Sequence, residues 1–314
     1  MVADSGQPQR SILDIIKSKP RTLSAEIIPP RNGTETEAVL RQIESLKDVP
    51  VDFISVTKGA GGSLRGGTLP IAQMIKTRFQ ICSLAHFTCR DYTVEEIENN
   101  LMDHHYFGVS NILALRGDPP DGQPDHFKPA PNRHEFAWQL TGQIKNLNQG
   151  EYITRQGWDK PGAKGRTGTP TNFCIGVAAH PEHEPHHDGV AYLAKKVEMG
   201  ADFAITQMIF SADPYKKFID SCAKRGVNIP VLPGLRIVTQ AATAERMKTK
   251  FGVGVPDELI TRLSKATTKE EGRLIGLEYT DELSRELLAA GAPGIHLFIM
   301  NDEKSGAQLL RNLK

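Results

Sequence analysis

The chain has 314 residues, room for one large domain or two ordinary ones, and its 38 Lys and Arg balance 37 Asp and Glu to a formal net charge of +1. That balance argues against a nucleic-acid surface, so any anionic ligand must be met by local groups. The four widely spaced cysteines, Cys82, Cys89, Cys174 and Cys222, include no CxxC pair, no apolar run is long enough to span a bilayer, and the opening MVADSGQPQR lacks the marks of a signal peptide. Together these features predict a soluble cytoplasmic protein with free thiols.

TLSAEII (22–28) is the first candidate strand. Its Glu26 is an acid within an apolar run, costly to bury and so a candidate for chemistry as well as for ion pairing. A helical pattern, TETEAVLRQIESL (34–46), leads to DFISVT (52–57), which ends in Thr57 ahead of the glycine-rich GAGGS (59–63). Those glycines read either as a flexible loop or as backbone brought close to a ligand. ICSLAHF (81–87) carries His86, which suits a satisfied core histidine and a ligand contact equally. The helical TVEEIENNLMDHHYF (93–107) follows it, and VSNILAL (109–115) then stops at Leu115 and presents Arg116, Gly117 and Asp118 before two prolines.

Two segments, 117–133 and 148–172, exceed ordinary connections, and loops of that length tend to be functional or mobile. FCIGVAA (173–179) ends at Ala179 and runs into HPEHEPHHD (180–188), which begins with His180. The histidines and acids of that stretch lie on a proline-interrupted loop without i, i+4 spacing, so a solvated loop is expected and no metal. GVAYLAKKVEMG (189–200) brings Lys195 and Lys196, a pair suited to an exposed helix face or to a phosphate. DFAITQM (202–208) contains Gln207, DPYKKFIDSCAKRG (213–226) is helical, and IPVLPGL (229–235) is the seventh strand. Two helices over 256–290 precede the eighth, GIHLFIM (293–299).

Near-continuous apolar strands alternating with helices predict an α/β fold, a (β/α)8 TIM barrel. It reads as a single catalytic domain over 1–314 with an extended loop or insertion around 117–172. The alternative, an open doubly wound sheet, would announce itself by G-x-G-x-x-G after a strand, and no convincing instance is present. In a parallel barrel the βα loops gather at the strands' C-terminal ends, so Glu26, Thr57, His86, Arg116, Asp118, His180 and Gln207 should converge on one mouth.

In this order SAEIIPPR, ISVTKGAGGS, AHFTC, NILALRGDPP, GVAAHPE, GADFAITQMIF, IPVLPGL and GIHLFIMN resemble the methylenetetrahydrofolate reductase family in its bacterial, single-domain form. The resemblance implies FAD at the strand ends, NADH or NADPH as electron donor, and ping-pong hydride transfer to 5,10-methylenetetrahydrofolate. It puts Glu26 on the general acid, with a carboxyl raised by burial. Asp118 falls on the aspartate near flavin and pterin, and Gln207 on the glutamine that positions folate and nicotinamide. Thr57, His86, Leu115, Arg116, Gly117, Asp118, Ala179, His180 and Lys196 match flavin-binding positions. Lys58 and His180 stand where the family commonly has tyrosine, which puts Lys58 beside the flavin ring.

The resemblance further implies a homo-oligomer with a small-molecule substrate, with a partner subunit as an added option. Three other readings stay open: flavin-free hydride transfer from nicotinamide to folate, a phosphate-binding barrel lyase or isomerase, and a non-catalytic folate- or flavin-binding subunit.

Overall fold

The computed structural model describes residues 9–60, 66–118, 132–154, 166–182, 188–300 and 302–314. Its first half runs α1 (Ile12–Lys17), β1 (Thr22–Ile27), α2 (Glu37–Lys47), β2 (Phe53–Val56), α3 (Thr68–Arg78), β3 (Cys82–Thr88), α4 (Val94–Tyr106), β4 (Asn111–Leu115) and α5 (Ala137–Asn148). A short pair, β5 (Glu151–Tyr152) and β6 (Arg166–Thr167), precedes β7 (Cys174–Ala179), α6 (Gly189–Glu198), β8 (Phe203–Met208), α7 (Ala212–Lys224) and β9 (Val231–Leu235). The chain ends with α8 (Ala241–Phe251), α9 (Asp257–Ser264), α10 (Lys269–Ala289), β10 (Gly294–Phe298) and α11 (Glu303–Asn312).

Eight of the strands are parallel and close on themselves in the order β1-β10-β9-β8-β7-β4-β3-β2, the predicted (β/α)8 barrel. Alternation builds it. Leu23, Ala25 and Ile27 of β1 join the apolar layer between strands and helices, which leaves Ser24 and Glu26 facing the lumen. Lumen-facing Phe53, Leu84, Leu113, Cys174, Phe203, Ile205 and Leu232 form a separate apolar cluster with Ile12 and Ile16. The first helix, α1, therefore stoppers the barrel at the strands' N-terminal ends.

That stopper is tied down by polar groups as well as by packing. Ser11 caps α1 by accepting from Asp14 N, and Ile12 N donates to Asn111 Oδ1 at 3.0 Å. Asn111 Nδ2 in turn donates to Arg10 O at 3.1 Å, while Gln9 and the Ser83 backbone exchange two hydrogen bonds of 2.8 Å. Within 148–172, β5 and β6 form an antiparallel hairpin, and the Ile153 N–H just beyond β5 donates to Glu98 Oε2 on α4 at 2.8 Å. Among the described residues, no helix is long and apolar enough to cross a membrane.

Candidate active site

Above the apolar plug the lumen turns polar, and Glu26 stands at its centre. Its side chain is 12% exposed, on the strand between β2 and β10. Glu26 Oε2 lies 3.2 Å from His86 Nε2 and 3.5 Å from His296 Nε2, and it accepts from Ser55 Oγ at 3.3 Å. The His296 ring is fully buried, shares a 2.8 Å hydrogen bond between Nδ1 and Ser24 Oγ, and packs against the rings of Phe53 and Phe298. Aromatic packing on two sides and a serine behind hold this imidazole toward the carboxylate.

Electrostatics here depart from the expectation of a raised carboxyl. Burial does push Glu26 up, but the charge of His86 first, and then the close approach of the His296 and His86 rings, outweigh it, and the pKa falls to about 2. The physical reason is that an acid embedded in this strand meets two imidazoles from other strands. The two imidazoles therefore favour the charged form of Glu26.

The remaining sequence-predicted residues lie at the same end of the barrel. Thr57 follows β2 and is buried with its Oγ1 lacking a hydrogen-bond partner among the described residues, as is Thr88 Oγ1 at the end of β3. His86 Nε2, though close to Glu26, is not aligned as a hydrogen bond. Leu115 ends β4 half-buried; Arg116 and Asp118 follow it with exposed side chains. Between them Gly117 has φ +94°, and a Cβ there would come within 3.1 Å of Thr88 Cβ and 3.2 Å of Arg90 Cβ. Only glycine brings the backbone this close.

Ala179 is buried at the end of β7, His180 is exposed just beyond it, and Gln207 is exposed near the end of β8 with its Oε1 accepting from Met208 N at 2.9 Å. Lys196 on α6 is buried with Nζ donating to Ala178 O at 2.7 Å, and burial pushes its pKa down to about 8.

Two placements differ from the sequence reading. Lys58 turns outward rather than toward the mouth, because it is out of phase with lumen-facing Thr57. Its Nζ lies 4.2 Å from the Phe87 ring centroid and 4.7 Å from that of Tyr92, a cation–π sandwich. His296, Ser24 and Ser55 join the site although the strand-end rule does not select them, because each lies inside a strand rather than at its end. Alternation was the available signal: His296 is in phase with the lumen and pairs directly with Ser24.

A family model for methylenetetrahydrofolate reductase matches residues 11–314. The chain belongs to the methylenetetrahydrofolate reductase family. Among its relatives, methylenetetrahydrofolate reductase (NADH) 1 of Arabidopsis thaliana is 29% identical over 320 residues, covering 96% of this chain and 50% of that one. Methylenetetrahydrofolate reductase 1 of Schizosaccharomyces pombe is 31% identical over 299 residues, 93% of this chain and 46% of that one. This chain thus spans about half the length of these relatives. The 5,10-methylenetetrahydrofolate reductase of Escherichia coli is 27% identical over 284 residues, 89% of this chain and 86% of that one.

In fold, the chain is similar to a solved structure of an uncharacterized Clostridium thermocellum protein that binds two copies of 5-methyl-5,6,7,8-tetrahydrofolic acid. The TM-score is 0.61 at 14% identity, covering 97% of this chain and 99% of that one.

The mouth suits a flavin of the kind the family resemblance implies. Two orphaned threonine hydroxyls, a close backbone approach at Gly117 and a buried lysine with one carbonyl partner are groups that a polar, anionic cofactor would satisfy. Among the described residues no three His, Cys, Asp or Glu side chains gather as a metal site. Residues 183–187 of the histidine-rich stretch, 61–63 of the glycine-rich stretch and most of the 117–133 segment lie outside the described residues.

Proposed function

We propose that the chain reduces 5,10-methylenetetrahydrofolate to 5-methyltetrahydrofolate with NADH or NADPH through FAD. The observation that carries this reading is the lumenal carboxylate of Glu26, held by two imidazoles at the barrel mouth of a chain that belongs to this family. Bound at the mouth, FAD supplies hydride transfer between nicotinamide and folate. Thr57, His86, Leu115, Arg116, Gly117, Asp118, Ala179, His180 and Lys196 would hold it, with Lys196 placed for its phosphates. The NADH in the name of the Arabidopsis relative favours that donor.

The folate's five-membered ring must open before its one-carbon unit can accept hydride, and N10 needs a proton as it leaves. Glu26, with a pKa of about 2, is ionised at neutral pH. In this reading the proton for N10 is delivered at Glu26 Oε2, with the imidazoles of His86 and His296 beside it and Ser24 steadying the His296 ring. Asp118 would place negative charge near the electron-poor N5 iminium, and Gln207 would orient folate and nicotinamide.

Replacing Glu26 by Gln keeps the shape and removes the proton acceptor. Glu26→Gln should slow folate reduction about 100-fold or more while leaving NADH oxidation by a quinone acceptor within a few fold of the parent. Stopped-flow or steady-state assays of the two half-reactions separate these outcomes. Equal loss of both would remove Glu26 from the proton path.

A further inference from the structure

Strand β8 changes register as it reaches the mouth. Ile205 pairs with Leu232 of β9, but the next pair along is Met208 with Gly234, so three steps on β8 answer two on β9. The extra residue is a β-bulge, and it sets Thr206 and Gln207 opposite Pro233. The sequence of β9 favours a bulge here, because Pro233 has no N–H to give the ladder and Gly234 has no Cβ to keep the strands apart. A Cβ on Gly234 would lie 2.5 Å from Thr206 O and 2.6 Å from the Phe298 ring.

One buried side chain closes the gap in the ladder. Thr206 Oγ1 accepts from Gly234 N at 2.8 Å and donates to Gln207 O at 2.8 Å. Gly234 O in turn accepts from Ile209 N at 3.0 Å, so β8 grips Gly234 from both sides of the bulge. The hydroxyl of Thr206 is thereby tied to β9 and to the carbonyl of the residue it precedes. Gln207 also folds back on the bulge, its Oε1 accepting from Met208 N at 2.9 Å. A backbone N–H can only donate, so the end of this amide that meets it is the oxygen, and Nε2 is the end left for a ligand. Ile205 fills the lumen, which by alternation puts Thr206 on the opposite face of β8, away from any substrate in the mouth.

We propose that Thr206 is a positioning residue: its hydroxyl locks the β8 bulge and so sets how Gln207 presents its amide to folate and nicotinamide. The inference rests on the folate reading above, in which Gln207 orients both. Without the hydroxyl, the Gly234 N–H loses its acceptor and the peptide carrying Gln207 loses its tether to β9.

The test measures steady-state folate reduction and thermal midpoints in the full chain and in Thr206→Val, Thr206→Ser, Gln207→Ala and the double variant Thr206→Val/Gln207→Ala. Thr206→Val removes both hydrogen bonds, so it should lower the thermal midpoint by a similar amount whether or not Gln207 is present. Activity should behave differently. Thr206→Val should lower kcat/KM for methylenetetrahydrofolate about 10-fold in the parent and less than about twofold in the Gln207→Ala background. Thr206→Ser, which keeps the hydroxyl, should stay within about threefold of the parent. Thr206→Cys, whose thiol bonds more weakly, carries the test with a smaller loss if Thr206→Val does not fold. An equal fold-loss of activity in both backgrounds would overturn the positioning role, as would a serine variant as slow as the valine one. Parental kinetics in Gln207→Ala would also overturn it, since Thr206 would have nothing to position. Each of these results leaves the folate reading standing. A parent that does not reduce methylenetetrahydrofolate would defeat the folate reading, and this role with it.

Discussion

On the proposed reading, Lys196 links stability to cofactor binding at this mouth. Its ammonium is buried against one carbonyl, and its pKa falls from 10.5 to about 8. Unfolding therefore takes up a proton between those two values, so this residue's contribution makes stability rise as pH climbs from about 8 toward 10.5. Below about pH 8 the full cost of burying the charge remains. Lys196→Met should stabilise the flavin-free protein at pH 7 by about 2 kcal/mol, the relieved charge burial less one hydrogen bond. The same variant should bind FAD more weakly, and parental FAD affinity should decline above about pH 8 as the cation is lost. Thermal melts without flavin, set beside flavin titrations across that range, would expose a lysine with no such linkage as a flat difference. Which side chains reach the mouth was largely legible from strand ends: Glu26, Thr57, His86 and Gln207 could be named from their positions alone. His296 and the outward turn of Lys58 depended on phase along the strand, and the low pKa of Glu26 on neighbours brought in from distant segments.

At the scale of elements, the apolar runs were informative because a strand buried on both faces has few residue types to choose from. All eight barrel strands appear within two residues of their predicted bounds. By contrast α1 is only six residues long, and nothing in ILDIIK announces that it closes a barrel; its partners Asn111 and Ser83 lie far along the chain. The pairing of β5 with β6 is likewise not legible in the sequence, since two-residue strands have no periodicity to read. The stopper makes its own prediction. Ile12 is fully buried against the lumenal cluster, so Ile12→Ala should cost about 2–5 kcal/mol. In urea this should appear as a lower midpoint with unchanged slope, while the activity of the folded fraction stays at the parental level because α1 lies at the end opposite the mouth. An unchanged midpoint would mean that α1 does not seal the barrel.

At the scale of the whole molecule, one closed sheet brings β1, β2, β3 and β10 together, so residues 26, 55, 86 and 296 meet although most of the chain separates the first from the last. The eukaryotic relatives are about twice as long as this chain, whereas the bacterial relative is nearly matched in full, so the barrel is the part common to both comparisons. The central claim is that this barrel binds FAD and uses it to pass hydride to folate. The most direct measurement is the visible absorbance spectrum of the protein after incubation with FAD and desalting, followed by anaerobic NADH and then methylenetetrahydrofolate. Flavin bands that survive desalting, bleach with NADH and return on adding the folate are the predicted result. A colourless protein that still converts methylenetetrahydrofolate with NADH, or a flavin that bleaches but is not reoxidised by the folate, would contradict the account.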